Sequence, residues 1–281
     1  MKQLILIADM EGASGIFEHN ASWLYNGGDE WRKYGRDCIT SDVLAVCNAA
    51  VDFGVDDILL YDMHFAGNPE FNILLDKLPS IVRVFDTPDR CFDWRRIRGQ
   101  AAQQPFGLIT LGQHARYNTP NAYFAHTIQS PPIKNFFVNG LHIAEIGMGV
   151  LNFYGVPYFA NIGCAASMQE ARELSESIVT VSVKDKAKNW EPSSQETYPL
   201  IYEGTKLALK RAGQAKSADI SPAFAFSMEL CEEFVFDTGV EISWKGTVGA
   251  KQAQWAAPSI EIGLELFNNV RGLIKRKDSA E

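Results

Sequence analysis

The sequence predicts an α/β fold in which a mainly parallel sheet is flanked by helices and followed by a smaller mixed C-terminal module. Within residues 1–190, continuous apolar runs typical of buried parallel strands alternate with segments of helical periodicity. Beyond residue 190 the strand-like segments alternate apolar and polar side chains, as in a half-exposed sheet. We therefore expect an α/β domain at 1–190 and a smaller helix and strand module packed on it at 191–281, with one continuous domain as the alternative.

The composition is typical of a globular protein and argues against several classes of partner. Hydrophobic residues make up 46% of the 281 residues and charged residues 21%, so the chain can bury a sizeable core. The net charge of −8 disfavours nucleic acid and anionic membrane surfaces, and we expect neither as a partner. The N-terminal apolar run is followed by acids, which indicates a first strand and not a signal peptide. Scattered cysteines without C-x-x-C spacing indicate reduced thiols in a cytoplasmic protein: Cys38, Cys47, Cys91, Cys164 and Cys231.

The elements of the first part follow from periodicity and turn residues. Apolar runs predict buried strands at 4–7, 57–61, 107–112 and 156–160, with further strands near 81–85 and 178–183. Helical spacing predicts helices from about Thr40 to Gly54, from Glu145 to about Phe153, and over 166–175. Asn139-Gly140 lies between Phe136-Phe137-Val138 and Leu141-His142-Ile143, which predicts a hairpin with a two-residue turn.

The last third has a different pattern. Ser193 and Glu196 have the spacing of a capping box and begin a predicted helix that runs to Gly213. Alternating apolar residues predict a strand over 224–230, and the same alternation at Val240, Ile242 and Trp244 predicts another. A final helix is expected over about 259–275.

Chemically active side chains follow the predicted strands at the points where the strands end. Asp9 and Glu11, two residues apart after the first strand, project to the same face, because strand side chains alternate with period two. His64 follows the second strand and His114 the third, while Glu145 comes directly after the hairpin. In open α/β sheets the carboxyl ends of the strands form the ligand site, so we expect these side chains to converge there.

Three carboxylates and two imidazoles form a mixed oxygen and nitrogen ligand set. Such a set suits zinc best, with manganese, cobalt or iron as alternatives. It contains more ligands than one open catalytic zinc needs, which indicates a two-metal site with Asp9 as the bridge. Spacing alone leaves structural roles open for each histidine, and for Glu145 at a helix N-terminus. Asp62 is expected to hold an imidazole in place.

At these residues the sequence resembles the zinc-dependent D-aminopeptidase family of metallopeptidases. The order and spacing of the motifs match over about residues 3–165. The motifs are Asp9-Met10-Glu11-Gly12-Ala13-Ser14-Gly15, Asp62-Met63-His64, Gly112-Gln113-His114-Ala115-Arg116 with Thr119-Pro120 and His126, and Val138-Asn139-Gly140 followed by Glu145-Ile146-Gly147.

The resemblance implies a role for each matching residue. It implies two zinc ions bridged by Asp9, with Glu11 and His64 on one ion, and with His114 and Glu145 on the other. His126 falls on the position proposed in the family as nucleophile or as general acid/base. The resemblance also implies a ring-shaped homo-oligomer such as a decamer.

Two departures from the family pattern leave the substrate open. Gly163-Cys164-Ala165 stands where relatives carry Gly-Asp-Asp, and the stretch after Lys184 lacks the family's basic and serine pattern. Our leading hypothesis is a dinuclear metal-dependent amide hydrolase that acts on short peptides, as D-aminopeptidases do. An amidase for small non-peptide amides is the first alternative, and a non-catalytic metal- or ligand-binding protein on the same scaffold is the second.

Overall fold

A computed structural model of the chain describes residues 1–18, 20–85, 93–128 and 132–277, and Cys91 lies outside these ranges. Its strands are β1 (Gln3–Ala8), β2 (Asp57–Asp62), β3 (Val82–Val84), β4 (Gly107–Gln113), β5 (Ile133–Val138), β6 (Leu141–His142), β7 (Tyr158–Cys164), β8 (Val179–Lys184), β9 (Phe224–Leu230), β10 (Phe234–Phe236), β11 (Gly246–Val248), β12 (Gln252–Ala257) and β13 (Ile274–Arg276). Its α-helices are α1 (Ala21–Leu24), α2 (Arg36–Phe53), α3 (Trp94–Gly99), α4 (Glu145–Asn152), α5 (Met168–Leu174), α6 (Ser194–Lys210) and α7 (Ile260–Arg271). None of the helices in the described ranges has both the length and the hydrophobicity that a membrane crossing requires.

The predicted parallel sheet is confirmed, and its topology creates a crevice. Six strands pair in parallel in the order β3-β2-β1-β4-β7-β8 within the described residues. From β1 the chain builds outward through β2 to β3 and then crosses to β4 on the opposite side of β1. Strand order therefore reverses between β1 and β4, and such a switch point is where open α/β sheets bind ligands, beyond the carboxyl ends of the strands.

The parallel sheet is covered on both faces. Leu4 and Leu6 of β1 belong to a core shared with α2 and α6. Ile5 and Ile7 point the other way, into a core that contains residues of α4, α5 and α7 and the inner face of the second sheet. Because both faces are buried, β1 is apolar from Leu4 to Ala8, and the period-two alternation that matters for function begins only after its last residue.

The second sheet is antiparallel, with the order β11-β12-β9-β5-β6. The predicted hairpin is confirmed, since Val138 pairs with Leu141 around Asn139 and Gly140, both of which have positive φ. β5 also pairs with β9, so a hairpin from within residues 1–190 completes a sheet built mainly from later strands. The predicted domain boundary near residue 190 therefore does not separate the two sheets, and the division into two modules stays a prediction.

One strand prediction is wrong. The segment with Val240, Ile242 and Trp244 is irregular, and Val240 is 48% exposed. The strands of this region are β11 and β12, and in β12 every second residue is buried. Two of its three buried residues are alanines, Ala253 and Ala257, so its apolar face is weak in the sequence.

The glycine-rich turn after β1, residues 11–16, is anchored to the sheet and to two helices. The Gly12 amide donates to the Gly112 carbonyl at 2.7 Å, which ties the turn to β4. The Ser14 amide donates to the Asp42 carboxylate of α2 at 2.9 Å, and the Thr197 hydroxyl of α6 donates to the Ser14 hydroxyl at 2.7 Å. Asp42 is fully buried, and burial raises its pKa to about 7 although hydrogen bonds from Ser14 and the charge of Lys184 oppose the rise.

Asp42→Asn should make the protein less sensitive to alkaline pH. The folded protein holds the Asp42 proton up to about pH 7, whereas an unperturbed carboxyl releases it near 3.8. Between these values the native state binds more protons than the unfolded state, so stability falls as pH rises through the window and stays low above it. Between pH 5 and pH 8 the free energy of unfolding, measured by urea denaturation, should fall by on the order of 2 kcal/mol more in the parent than in Asp42→Asn.

The exposed carboxylate Asp76 provides the control, because Asp76→Asn should follow the parent. An equal fall in the free energy of unfolding between pH 5 and pH 8, in the parent and in Asp42→Asn, would contradict a protonated Asp42.

Candidate metal centre

The structure brings all six predicted site residues to the carboxyl edge of the parallel sheet. Ala8 pairs with Asp62 on one side and with Leu111 on the other, so β1, β2 and β4 end at the same level. Asp9, His64 and His114 follow these three strands, and Glu145 is the first residue of α4. Asp9, Glu11, His64, His114 and His126 are each at most 8% exposed, and the Glu145 side chain is 15% exposed.

One group of candidate ligand atoms surrounds the residues after β1. Asp9, Glu11 and His114 each offer an atom within 4.8 Å of the others. The Glu11 Oε1 atom also lies 3.4 Å from Nε2 of His64. Glu11 and His64 therefore face each other across the ends of β1 and β2.

A second group lies on the β4 side. His114, His126 and Glu145 offer atoms within 4.8 Å of one another. Nε2 of His114 is 3.1 Å from Glu145 Oε2 and 3.6 Å from Asp9 Oδ2, while Nε2 of His126 is 3.5 Å from Glu145 Oε1. His114 belongs to both groups, which makes them two halves of one site.

The three imidazoles share one orientation. In each ring Nδ1 contacts an oxygen acceptor outside the cluster: Ala115 O for His114 at 2.9 Å, Phe124 O for His126 at 3.0 Å, and Asn72 Oδ1 for His64 at 3.3 Å. A proton on Nδ1 leaves the Nε2 lone pair directed at the carboxylates. Metal-binding histidines have this arrangement, in which the outer hydrogen bond sets the tautomer.

Asn72 is a site residue that the sequence analysis missed. The Asp62 carboxylate accepts its amide N–H at 2.7 Å and its side-chain N–H at 2.9 Å. Its Oδ1 also accepts from Trp31 Nε1 at 2.9 Å. Asp62 thus acts on His64 through Asn72. Asn72 comes from a loop eight residues beyond His64, and no local pattern distinguishes it.

The carboxylates are held in an unfavourable environment. Burial raises the pKa of Asp9 well above its usual value, and the charges of Glu11 and Glu145 raise it further. Burial also opposes ionisation of Glu11 and Glu145, but the facing histidines outweigh it and lower the pKa of both carboxyls. Burial likewise disfavours a charge on His126, yet Glu145 outweighs it and raises the His126 pKa to about 9.

Two carboxylate oxygens at the centre have no hydrogen-bond donor. Among the described residues, no group donates to Asp9 Oδ2 or to Glu11 Oε2, and both atoms are buried. Burying an anion without a partner costs free energy. The neighbouring carboxylates and imidazoles are groups that bind cations, so a bound cation would supply the compensating charge.

The spacing of the donors fits a small divalent metal. Zinc with tetrahedral bonds of 2.0–2.1 Å holds its ligand atoms about 3.3 Å apart. The contacts between candidate ligand atoms measure 3.4 Å for Glu11–His64, 3.1 Å for His114–Glu145 and 3.6 Å for Asp9–His114. The residues present therefore fit zinc at this edge of the sheet.

Known proteins resemble this chain in sequence and in fold. The chain is similar to a D-aminopeptidase of Bacillus subtilis (strain 168), with 25% identity over 185 residues, which is 65% of this chain and 63% of that protein. The alignment therefore spans less than two thirds of the relative's length. The fold is similar to that of the Zn-dependent D-aminopeptidase DppA from Bacillus subtilis, described as a self-compartmentalizing protease, with a TM-score of 0.80 and 21% identity over 96% of this chain and 97% of that chain. The model of the D-aminopeptidase family, Peptidase M55, matches residues 1–267, and the chain belongs to that family.

Proposed function

We propose that the protein is a two-metal hydrolase that cleaves the amide bond after the N-terminal residue of short peptides, as a D-aminopeptidase does. The observation that carries the proposal is a pair of buried carboxylate oxygens, Asp9 Oδ2 and Glu11 Oε2, to which no group in the described part of the chain donates, on carboxylates that face the Nε2 atoms of His114 and His64. Family membership supports the reaction, and the description of DppA as Zn-dependent supports zinc as the metal.

The contacts favour one distribution of ligands. Glu11 and His64 would hold one ion, and His114 and Glu145 the other, because each pair lies within 3.4 Å. Asp9 would bridge the ions, since its carboxylate is grouped with Glu11 on one side and lies 3.6 Å from His114 on the other.

When bound, two divalent ions polarise the scissile carbonyl and make water nucleophilic at neutral pH. His126 would then act as the catalytic residue beside the two ions. Its Nδ1 is held by the Phe124 carbonyl, so Nε2 is the atom that can accept or donate a proton. We assign His126 the transfer of a proton to the leaving amine, with direct nucleophilic attack by Nε2 as the alternative role.

A cleft beside His126 supports a small substrate. It has a volume of about 460 Å³, and its wall includes Ile133 of β5, Phe234 of β10 and Tyr117 of the loop that carries His126. This volume lies in the range of about 300–1,000 Å³ that small-molecule sites occupy. A dipeptide or another small amide matches it in size.

We also propose a homo-oligomer in the cytoplasm. The description of DppA as self-compartmentalizing supports self-association, and a ring such as a decamer is the form we propose. In the described residues Cys38, Cys47, Cys164 and Cys231 are free thiols, which supports a reducing compartment.

The zinc-loaded protein should release the N-terminal residue from D-aminoacyl dipeptides and D-aminoacyl amides. The assay compares these substrates with their L-enantiomers and with simple carboxamides, and it measures released amine. A preference for D-aminoacyl substrates supports the proposal. A preference for simple carboxamides would favour the amidase alternative, and no turnover on any of them by zinc-loaded protein would favour the binding protein.

His126→Ala should abolish turnover without removing metal. Loss of a positioned acid/base group costs roughly 10²- to 10⁴-fold in rate, and His126 is not among the proposed ligands. Kinetics tests the loss of turnover, and metal analysis of the same preparation tests the retention of metal. His142→Ala, at a half-buried histidine outside the cluster, is the matched control and should retain activity. Loss of metal in His126→Ala would make His126 a ligand and contradict the assigned role.

A further inference from the structure

Lys184, the last residue of β8, is fully buried at 0% exposure. β8 is the edge strand of the parallel sheet, three positions from β1 in the strand order. No other lysine in the described ranges is buried. A buried ammonium is costly unless all its protons are used, so the partners of this group indicate what it does.

The partners of Lys184 are backbone carbonyls of the turn that follows β1. Its Nζ donates to Glu11 O at 2.6 Å, to Ala13 O at 2.9 Å and to Ile16 O at 2.5 Å. An ammonium has three protons, and this turn therefore receives all of them. Aromatic rings complete the enclosure, with centroids 4.9–5.6 Å from Nζ: Phe17, Tyr123 and Phe124.

The turn passes close over the end of the sheet. A Cβ atom on Gly12 would lie 2.0 Å from the Gln113 carbonyl oxygen of β4, so the backbone there has no room to shift toward the sheet. Lys184 holds the turn from the far side, through the carbonyls on both sides of Gly12. The peptide that follows Glu11 is thus fixed between β4 and the Lys184 ammonium.

We propose that Lys184 is a positioning residue for the candidate metal centre. By binding the Glu11 carbonyl, it fixes the residue whose carboxylate faces His64 at 3.4 Å. In the other pair, His114 directly follows β4 and Glu145 begins α4, and Lys184 contacts neither element in the described hydrogen bonds. Lys184 therefore controls one half of the centre, and this inference rests on the proposed two-metal function.

Lys184→Met tests the inference through metal stoichiometry. Calorimetric zinc titration of the parent should show two equivalents. The variant should keep one at parental affinity and bind the other at least tenfold more weakly, since loss of a residue that orients a ligand costs about 10- to 100-fold in affinity. Lys186→Met is the matched control, because Lys186 also donates to a backbone carbonyl, that of Ala122 at 3.2 Å, but outside this turn. It should bind zinc as the parent does.

The outcomes separate the two claims. A parent that binds no zinc contradicts the proposed function and the inference together. A parent with two equivalents and a folded Lys184→Met variant with the same two affinities overturns the inference alone, and equal weakening at both equivalents overturns it as well.

If Lys184→Met does not fold, the inference is tested on the parent protein instead. Burial protects the Lys184 ammonium from rapid exchange, so its side-chain ¹⁵N signal should be observable by NMR. A shift of that signal on zinc loading supports the coupling between Lys184 and the metal centre. An unchanged signal at full zinc occupancy overturns it.

Discussion

The burial of three carboxylates at one point of the sheet is the constraint on which the rest of this structure depends. Asp9 and Glu11 offer atoms within 4.8 Å of each other, and the charge of Glu145 also raises the pKa of Asp9. Two like charges about 4 Å apart repel by about 4 kcal/mol even at an effective dielectric constant of about 20. A domain is stable by only about 5–15 kcal/mol. The native arrangement therefore requires compensating positive charge, and the Nε2 atoms of the imidazoles lie beside the carboxylates where that charge is needed.

The fold produces this concentration of charge through its topology. β1 lies inside the sheet, strand order reverses between β1 and β4, and three adjacent strands end level. The residues that leave these strands enter one crevice, and α4 adds Glu145 from its first turn. Helix N-termini favour a carboxylate. Contacts outside the cluster then orient each imidazole: backbone carbonyls orient His114 and His126, while Asn72 orients His64.

The placement of these side chains at one edge of the sheet was predictable because the information is local. A continuous apolar run ends, side chains alternate, and a carboxylate or imidazole follows, so Asp9, Glu11, His64 and His114 could be assigned to one edge before any coordinates. Asn72 and Lys184 could not, because their roles depend on contacts that join distant parts of the chain. Lys184 meets the Glu11 carbonyl across 173 positions. The same limit explains β12, whose buried alanines carry little signal, and the hairpin β5–β6, whose partner β9 lies far along the chain.

Anomalous diffraction at the zinc absorption edge, from crystals of the zinc-loaded protein, is the most direct test of the two-metal centre. We expect two anomalous peaks about 3.5–4 Å apart. One should contact Glu11 and His64, the other His114 and Glu145, and both should contact Asp9. Well-ordered crystals without an anomalous peak among these side chains would contradict it.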